Sequence, residues 1–168
     1  CCTAPGSAAL ALLRVSGPNA CAIVARAATL ASRTSLTEVA SHTISYGTVI
    51  DHNGAHVDHV MFFVMHAPRT FTGEHTVEIT CHNNRFLIQA ILDRLIACGA
   101  RAAQPGEFTR WAVENGKMDL LQAEALHDLI TAPSRALAQT SLSQLEGSLS
   151  HRISELEAAD RKSTRLNS

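Results

Sequence analysis

The sequence has no excess of charge of either sign. Its 168 residues include 14 lysines and arginines against 15 aspartates and glutamates, which gives a formal net charge of -1 and a pI near 6.8. A protein that holds a polyanion through many phosphate contacts needs a basic surface. The composition therefore excludes nucleic acid as the main ligand of this chain by itself. The 46% of hydrophobic residues is enough for one compact domain and part of a second.

Paired cysteines, long apolar runs and nucleotide-binding motifs are also missing. The cysteines are Cys1, Cys2, Cys21, Cys81 and Cys98. Their odd number and irregular spacing predict neither a disulfide framework nor a zinc motif, and favour a reducing cytosol. The apolar run at 8–13 is much shorter than the roughly 20 residues of a membrane helix. The "PGSAAL" stretch (5–10) lacks the lysine of a P-loop. We therefore expect a cytoplasmic chain without a membrane partner or a nucleotide site.

Both ends of the sequence look unusual. Cys1 stands where an initiator methionine is expected, so we expect further residues upstream. At the other end, "RKSTRLNS" (161–168) breaks an apolar helical periodicity and resembles translated adaptor sequence. We expect 161–168 to be a non-native tail and exclude it from the fold prediction.

The first 117 residues read as strands and helices in alternation. Residues 9–17 predict a buried strand, and 16–31 predict a helix with Ser16 as N-cap. Two strands, 42–50 and 55–67, flank "DHNG", which suits a type I′ hairpin turn. Further along, the predicted elements are a strand in "HTVEITC", a helix from the Asn83–Asn84 pair to Gly99, a possible short strand in "RAAQ", and a short helix that ends at Asn115–Gly116.

The pattern changes after Lys117. Residues 118–132 predict a leucine-rich helix with Asp119 as N-cap, and 133–160 predict one long amphipathic helix opened by Pro133. We therefore predict an α+β domain at 1–117, with a mixed β-sheet and helices, followed at 118–160 by the start of an all-helical domain.

The stretch "GEHTVEITCHNN" (73–84) holds the densest set of chemically active side chains. On a strand, His75 and Cys81 share one face with Val77 and Ile79, whereas Glu78 points the other way with His82. The apolar neighbours of His75 and Cys81 favour core packing over chelation, so no metal site is predicted. His56 and His59, in "HVDH", are interpreted as surface or interface residues rather than metal ligands. Taken alone, Glu78 is most simply part of a solvated polar face.

Four segments in order change that interpretation. The stretches "TAPGSAALALLRVSGP", "TFTGEHTVEITCH", "ARAAQPGEFTRWAVENGKMDLLQAEALHDLI" and "SLSQLEGSLSHRI" resemble the tRNA-modification GTPase family MnmE, also called TrmE. The resemblance covers residues 3–155, and the "PGEFT…NGKMDLLQAEA" block is its most specific part.

The resemblance implies a folate-binding N-terminal domain, similar in fold to aminomethyltransferases, followed by a helical domain into which a GTPase domain is inserted. Family members bind a reduced folate (5-formyl- or 5,10-methylenetetrahydrofolate) at a homodimer contact, as the one-carbon source for modifying the wobble uridine of certain tRNAs. They work with the flavoprotein MnmG. GTP, Mg²⁺ and K⁺ belong to the GTPase domain, which is not in this sequence, so we expect no enzymatic activity and no catalytic residue here. The C-terminal cysteine of the family is not among the five cysteines.

The family's folate positions fall on Arg14, Glu78 and Lys117. One carboxylate can accept from the adjacent amino and ring N–H donors of a pterin, and the carboxylates of the folate tail suit Arg or Lys. Which cation meets which group stays open.

The sequence departs from the family at "PGSAA" and "CHNN", where relatives carry more glycine. Asn83 and Asn84 add side chains where glycines let the backbone approach a ligand closely. His82 and the start of the following helix are therefore not carried over as ligand contacts. Two alternatives remain: a stand-alone folate enzyme of the aminomethyltransferase kind, and a purely structural dimerisation module.

Overall fold

A computed structural model describes residues 1–3, 6, 8–148, 150 and 153. The predicted tail, 161–168, lies outside these residues. The chain forms two compact units, Cys1–Phe108 and Thr109–Ser168, which are described separately below. The division falls shortly before the boundary expected at 117.

The first unit is built on a five-stranded sheet. Its strands are β1 (Leu10–Ser16), β2 (Ala28–Leu30), β3 (Thr43–Ile50), β4 (His56–Met65) and β5 (Thr76–His82). Their order is β1-β5-β4-β3-β2, and every neighbouring pair is antiparallel. The α+β class is therefore confirmed, but the expected mixed sheet is wrong. A hairpin joins β3 to β4, and β5 runs antiparallel to both strands beside it, so no parallel pair arises.

One face of the sheet is covered by α1 (Ala20–Ala27) and α2 (Arg85–Ala97). Alternate strand residues point into this core, among them Leu13, Phe62, Val64, Val77 and Ile79. The helices contribute Val24, Ile91 and Leu95. The predicted inward set of β5 is thus confirmed, since Val77, Ile79 and Cys81 are all buried. The opposite sheet face, called the open face below, carries Arg14 and Glu78.

The first helix is shorter than its sequence pattern indicates. Helix α1 starts at Ala20 with Asn19 at the N-cap position, so the predicted Ser16 cap is wrong. The Ser16 hydroxyl lies 2.6 Å from the Thr72 hydroxyl instead. Residues Ala28–Leu30, predicted as helix, form β2 because pairing with β3 satisfies their backbone groups at the sheet edge.

The hairpin between β3 and β4 uses a different turn from the predicted type I′. That turn requires positive φ at two central residues, whereas within 51–55 only Gly54 has one, at 81°. The carboxylate of Asp51 accepts the backbone N–H groups of Asn53 and Ala55, each at 2.8 Å. These two bonds stabilise the wider loop, and the strand register shifts by one residue at Val49/Ile50.

Helix α2 begins as predicted, because Asn84 accepts the N–H groups of Phe86 and Leu87. Phe86, in the first turn of this helix, is 72% exposed. The possible strand in "RAAQ" does not form. The short helix is α3 (Glu107–Glu114), followed by Gly116 as expected.

The second unit is helical. Helix α4 (Leu120–Thr131) has the predicted Asp119 N-cap, reinforced by Gln122 in a capping box. Helix α5 (Arg135–Leu145) is capped by Ser134 and contacts α4. The predicted uninterrupted helix is wrong, since Gly147 takes a φ of 89° that a helix excludes. Of the helices in the described ranges, none has both the length and the apolar character to cross a membrane.

Candidate functional site

Arg14 and Glu78 form an ion pair on the open face of the sheet. They are directly opposite each other in the β1–β5 register. The Arg14 Nε and Nη2 groups donate to the same carboxylate oxygen, Oε1, at 2.9 and 2.6 Å. The two side chains are 20% and 16% exposed, so the pair is shielded but still reachable by a ligand. Two of the three residues predicted for the folate site are therefore in contact.

Aromatic rings surround this pair. The Arg14 guanidinium carbon lies 5.0 Å from the centre of the Phe71 ring and 5.4 Å from that of Phe108. Phe63 on β4 is opposite Glu78 in the register. A cation near aromatic faces is stabilised by their electron density. The arrangement offers a planar ligand both charge and stacking surface.

The loop that carries Phe71 is fixed to the sheet by hydroxyl groups. Besides the Ser16–Thr72 contact, the Thr70 hydroxyl donates to the Glu74 carbonyl at 2.7 Å. The Thr72 and Thr76 side chains are fully buried. These bonds connect the segment "TFTGE" to the sheet next to the ion pair.

Lys117 belongs to the second unit. It is exposed, and its backbone N–H donates to the Ala112 carbonyl at 2.8 Å, closing the end of α3.

The asparagines of "CHNN" have structural roles. Asn84 caps α2, so helix N–H groups that a ligand would use are bonded within the chain. Asn83 donates from Nδ2 to the Gly6 carbonyl at 2.8 Å. His82 is held by buried Asp58, which accepts its backbone N–H at 2.9 Å and whose Oδ1 lies 2.7 Å from its ring Nδ1. Sequence spacing does not indicate this pair, because Asp58 is on strand β4 and lies 24 residues before His82.

Other histidines and cysteines near the sheet have different surroundings. His56 and His59 are exposed, as predicted. Cys81 is buried core, and burial followed by the nearby Asp58 charge raises the pKa of its thiol. His75, however, meets two residues that sequence spacing did not single out, Cys21 and His66.

The fold and the site define a class of protein: an antiparallel α+β domain with an arginine–glutamate pair against aromatic rings on its open sheet face, joined to a helical unit. Residues 1–117 match the family model described as the N-terminus of the GTP-binding protein TrmE. The chain belongs to this family.

Curated relatives agree with the family match. The chain is 44% identical to the tRNA modification GTPase MnmE of Parabacteroides distasonis, over 92% of the chain and 34% of the relative. It is 46% identical to the proteins of the same name from Latilactobacillus sakei and Geobacillus kaustophilus, again over 92% of the chain and 33% and 34% of those proteins. The chain thus spans about a third of the length of these relatives.

Proposed function

We propose that residues 1–117 bind a reduced folate at the Arg14–Glu78 pair, as the N-terminal part of a GTPase that modifies tRNA. The bound folate supplies one carbon to the wobble uridine in a complex with the flavoprotein MnmG. The observation that carries the proposal is the ion pair itself, which lies at two of the positions that the family resemblance assigns to folate. Lys117 enters the proposal through the resemblance alone.

The geometry of the ion pair suggests separate roles for Glu78 and Arg14 in binding the pterin. Because both Arg14 donors use Oε1, the Oε2 atom of Glu78 keeps its lone pairs for a ligand. We assign Glu78 to the amino and ring N–H donors of the pterin, with Arg14 orienting the carboxylate. A pterin that contacts both oxygens displaces one Arg14 donor. The nearby Phe71 ring supplies stacking area for the flat heterocycle.

The open face also supports the proposed homodimer. Ile44 and Tyr46 on β3 are 67% and 56% exposed, and Met61 on β4 is 46% exposed. Met61 is opposite Tyr46 in the register, and Ile44 is opposite Phe63. A contiguous apolar surface beside the ion pair is typical of a protein interface. We propose that two copies meet over this surface and share the folate.

The substitution Glu78→Gln tests the folate site. It keeps the shape of the side chain but presents an amide donor to the donors of the pterin. We expect the affinity for 5-formyltetrahydrofolate to fall by at least about 2 kcal/mol, or about 30-fold in Kd. Isothermal titration calorimetry of the folded proteins measures the change, with circular dichroism and urea unfolding to confirm that the variant is native.

The matched control is Glu38→Gln, which removes an equal charge from an exposed loop and should bind like the parent. Unchanged folate affinity in the Glu78→Gln variant would refute the assignment of that carboxylate. If the parent itself shows no saturable heat, the domain is a structural dimerisation module instead. Turnover of folate by the isolated chain would favour the stand-alone aminomethyltransferase-like enzyme.

A further inference from the structure

Three potential metal ligands converge where α1 meets the start of β5. Cys21 lies in the first turn of α1, His66 directly follows β4, and His75 directly precedes β5. We call them the Cys-His-His cluster. One ligand atom from each lies within 4.8 Å of the other two. The His66 Nδ1 atom is 3.9 Å from the Cys21 sulfur and 3.4 Å from the His75 Nδ1 atom. This group is on the core face of the sheet, away from Arg14 and Glu78.

The hydrogen bonds of the two rings assign their protons. The His66 Nε2 atom lies 2.9 Å from the Val39 carbonyl, which can only accept, so Nε2 carries the proton. Its Nδ1 atom then holds a lone pair in the neutral ring. The His75 Nδ1 atom accepts the Ala67 N–H at 3.3 Å, so it holds a lone pair as well. Neither Nδ1 atom carries a proton, so the 3.4 Å contact between them is not a hydrogen bond, and a cation that takes the place of the Ala67 N–H at His75 Nδ1 would be stabilised there.

The distances suit zinc. A tetrahedral zinc ion with Zn–N bonds of about 2.0 to 2.1 Å places two ligand nitrogens about 3.3 Å apart, and a Zn–S bond of about 2.3 Å places the sulfur about 3.6 Å from each nitrogen. The observed 3.4 Å and 3.9 Å need shifts of a few tenths of an ångström, and Cys21 and His75, whose ligand atoms lie within 4.8 Å of each other, need to move closer together. The two rings are nearly perpendicular, at 80°, so neither blocks the space between them.

The surroundings hold these ligands in place. The bond from His66 Nε2 to the Val39 carbonyl is the outer contact by which metal-binding histidines are oriented. The His66 backbone N–H donates to the Ser41 hydroxyl at 2.9 Å, and the His75 carbonyl accepts from Gly17 at 3.0 Å. Zinc would replace the bond from the Ala67 N–H to His75 Nδ1 and the contact between Cys21 and His66 Nδ1, and Ala67 is exposed to water.

We propose that Cys21, His66 and His75 bind a zinc ion, with water as the fourth ligand. Thiolate and imidazole together select zinc over magnesium or calcium, which prefer oxygen ligands. The ion would tie α1 to the ends of β4 and β5 from the core side. This site is independent of the proposed folate site, because it uses none of its residues.

Cobalt(II) substitution tests the proposal on the full chain. We expect cobalt chloride, added to chelator-treated protein, to saturate at one ion per chain and to give the thiolate charge-transfer band with the visible bands of a tetrahedral site. Zinc chloride should abolish these bands. The substitutions Cys21→Ser, His66→Gln and His75→Gln should each remove the charge-transfer band or weaken zinc binding at least tenfold. Cys98→Ser, at an equally buried cysteine, and His52→Gln, at an exposed histidine, are the matched controls.

A second measurement needs no variant. Zinc should protect Cys21 from alkylation in the parent protein, as read by peptide mass mapping, while exposed Cys1 and Cys2 continue to react. Absence of the cobalt charge-transfer band, or equal alkylation of Cys21 with and without zinc, would overturn the proposal in favour of a hydrogen-bonded core cluster. Retention of full zinc affinity in all three cluster variants would also overturn it. The effect of Glu78→Gln on folate binding tests the folate site alone, and its outcome does not bear on the zinc proposal.

Discussion

At the scale of single residues, two glutamates each pair with an arginine, but one pair is open to a ligand and the other stabilises a loop. Glu78 is in mid-strand, partly exposed, with an oxygen left for a ligand. Glu107, in the "PGEFT" block, is 8% exposed; it binds both terminal nitrogens of Arg101 and accepts the Gln104 N–H at 2.7 Å. Glu107 therefore locks the loop before α3, and its presence in the most specific family segment is explained by structure.

Glu107→Gln should lower the free energy of unfolding by about 1 to 3 kcal/mol, because the amide brings a donor to a place where three donors already meet. Urea unfolding followed by circular dichroism measures the loss. The matched control is Glu114→Gln on the same helix, where a 51% exposed carboxylate lies 3.4 Å from Arg110 and should contribute less than about 1 kcal/mol. If the two substitutions lower the free energy of unfolding equally, the buried position of Glu107 makes no extra contribution to stability.

At the scale of elements, the β3–β4 hairpin depends on one carboxylate. Asp51 accepts from Ala55 and Asn53, and these backbone bonds, that of Ala55 first, lower its pKa. A folded pKa below the unfolded value means that the group stabilises the hairpin above the unfolded pKa. That contribution is lost as the pH falls through the lower, folded pKa.

Asp51→Asn keeps an acceptor oxygen but does not titrate. We expect the parent to be more stable than the variant at about pH 7, and the difference to shrink at about pH 3, which is below the unfolded pKa of about 3.9. Urea midpoints at the two pH values give the comparison. A difference that stays constant, or grows in acid, would contradict the role of the Asp51 charge in the turn.

At the scale of the whole molecule, the chain has two candidate surfaces for self-association. One is the open-face group Ile44, Tyr46 and Met61, and the other is the exposed apolar side of the helical unit, which includes Leu137 at 52% exposure. The proposed homodimer uses the first. Sedimentation velocity of charge-introducing variants distinguishes them.

Ile44→Glu should convert the dimer to monomer, because a desolvated charge at the centre of an apolar contact is unfavourable. Leu137→Glu is the counterpart on the helical unit and should leave the dimer intact. The reverse result would place self-association on the helices and remove the structural basis for a folate shared between two open faces.

Local sequence determined much of this fold. The alternation in "HTVEITC" fixed which side of β5 is buried, since strand side chains alternate by geometry. Asn84 and Asp119 marked two helix starts because a cap depends only on neighbouring backbone groups. The resemblance of "LLRVSG" and "FTGEHTVE" to family segments selected Arg14 and Glu78, but it could not say that they touch.

Tertiary structure decided the rest. Residues Ala28–Leu30 form a strand rather than helix because they pair with β3 at the edge of the sheet. A local sequence pattern cannot show that a neighbouring strand will be present. The sheet became fully antiparallel through the return of β5 between β4 and β1. Cys21 lies 45 residues before His66, and His66 lies 9 residues before His75, so no spacing rule connects the three. Only the packing of α1 against the ends of β4 and β5 brings their ligand atoms within 4.8 Å, because side-chain convergence is a property of the folded chain.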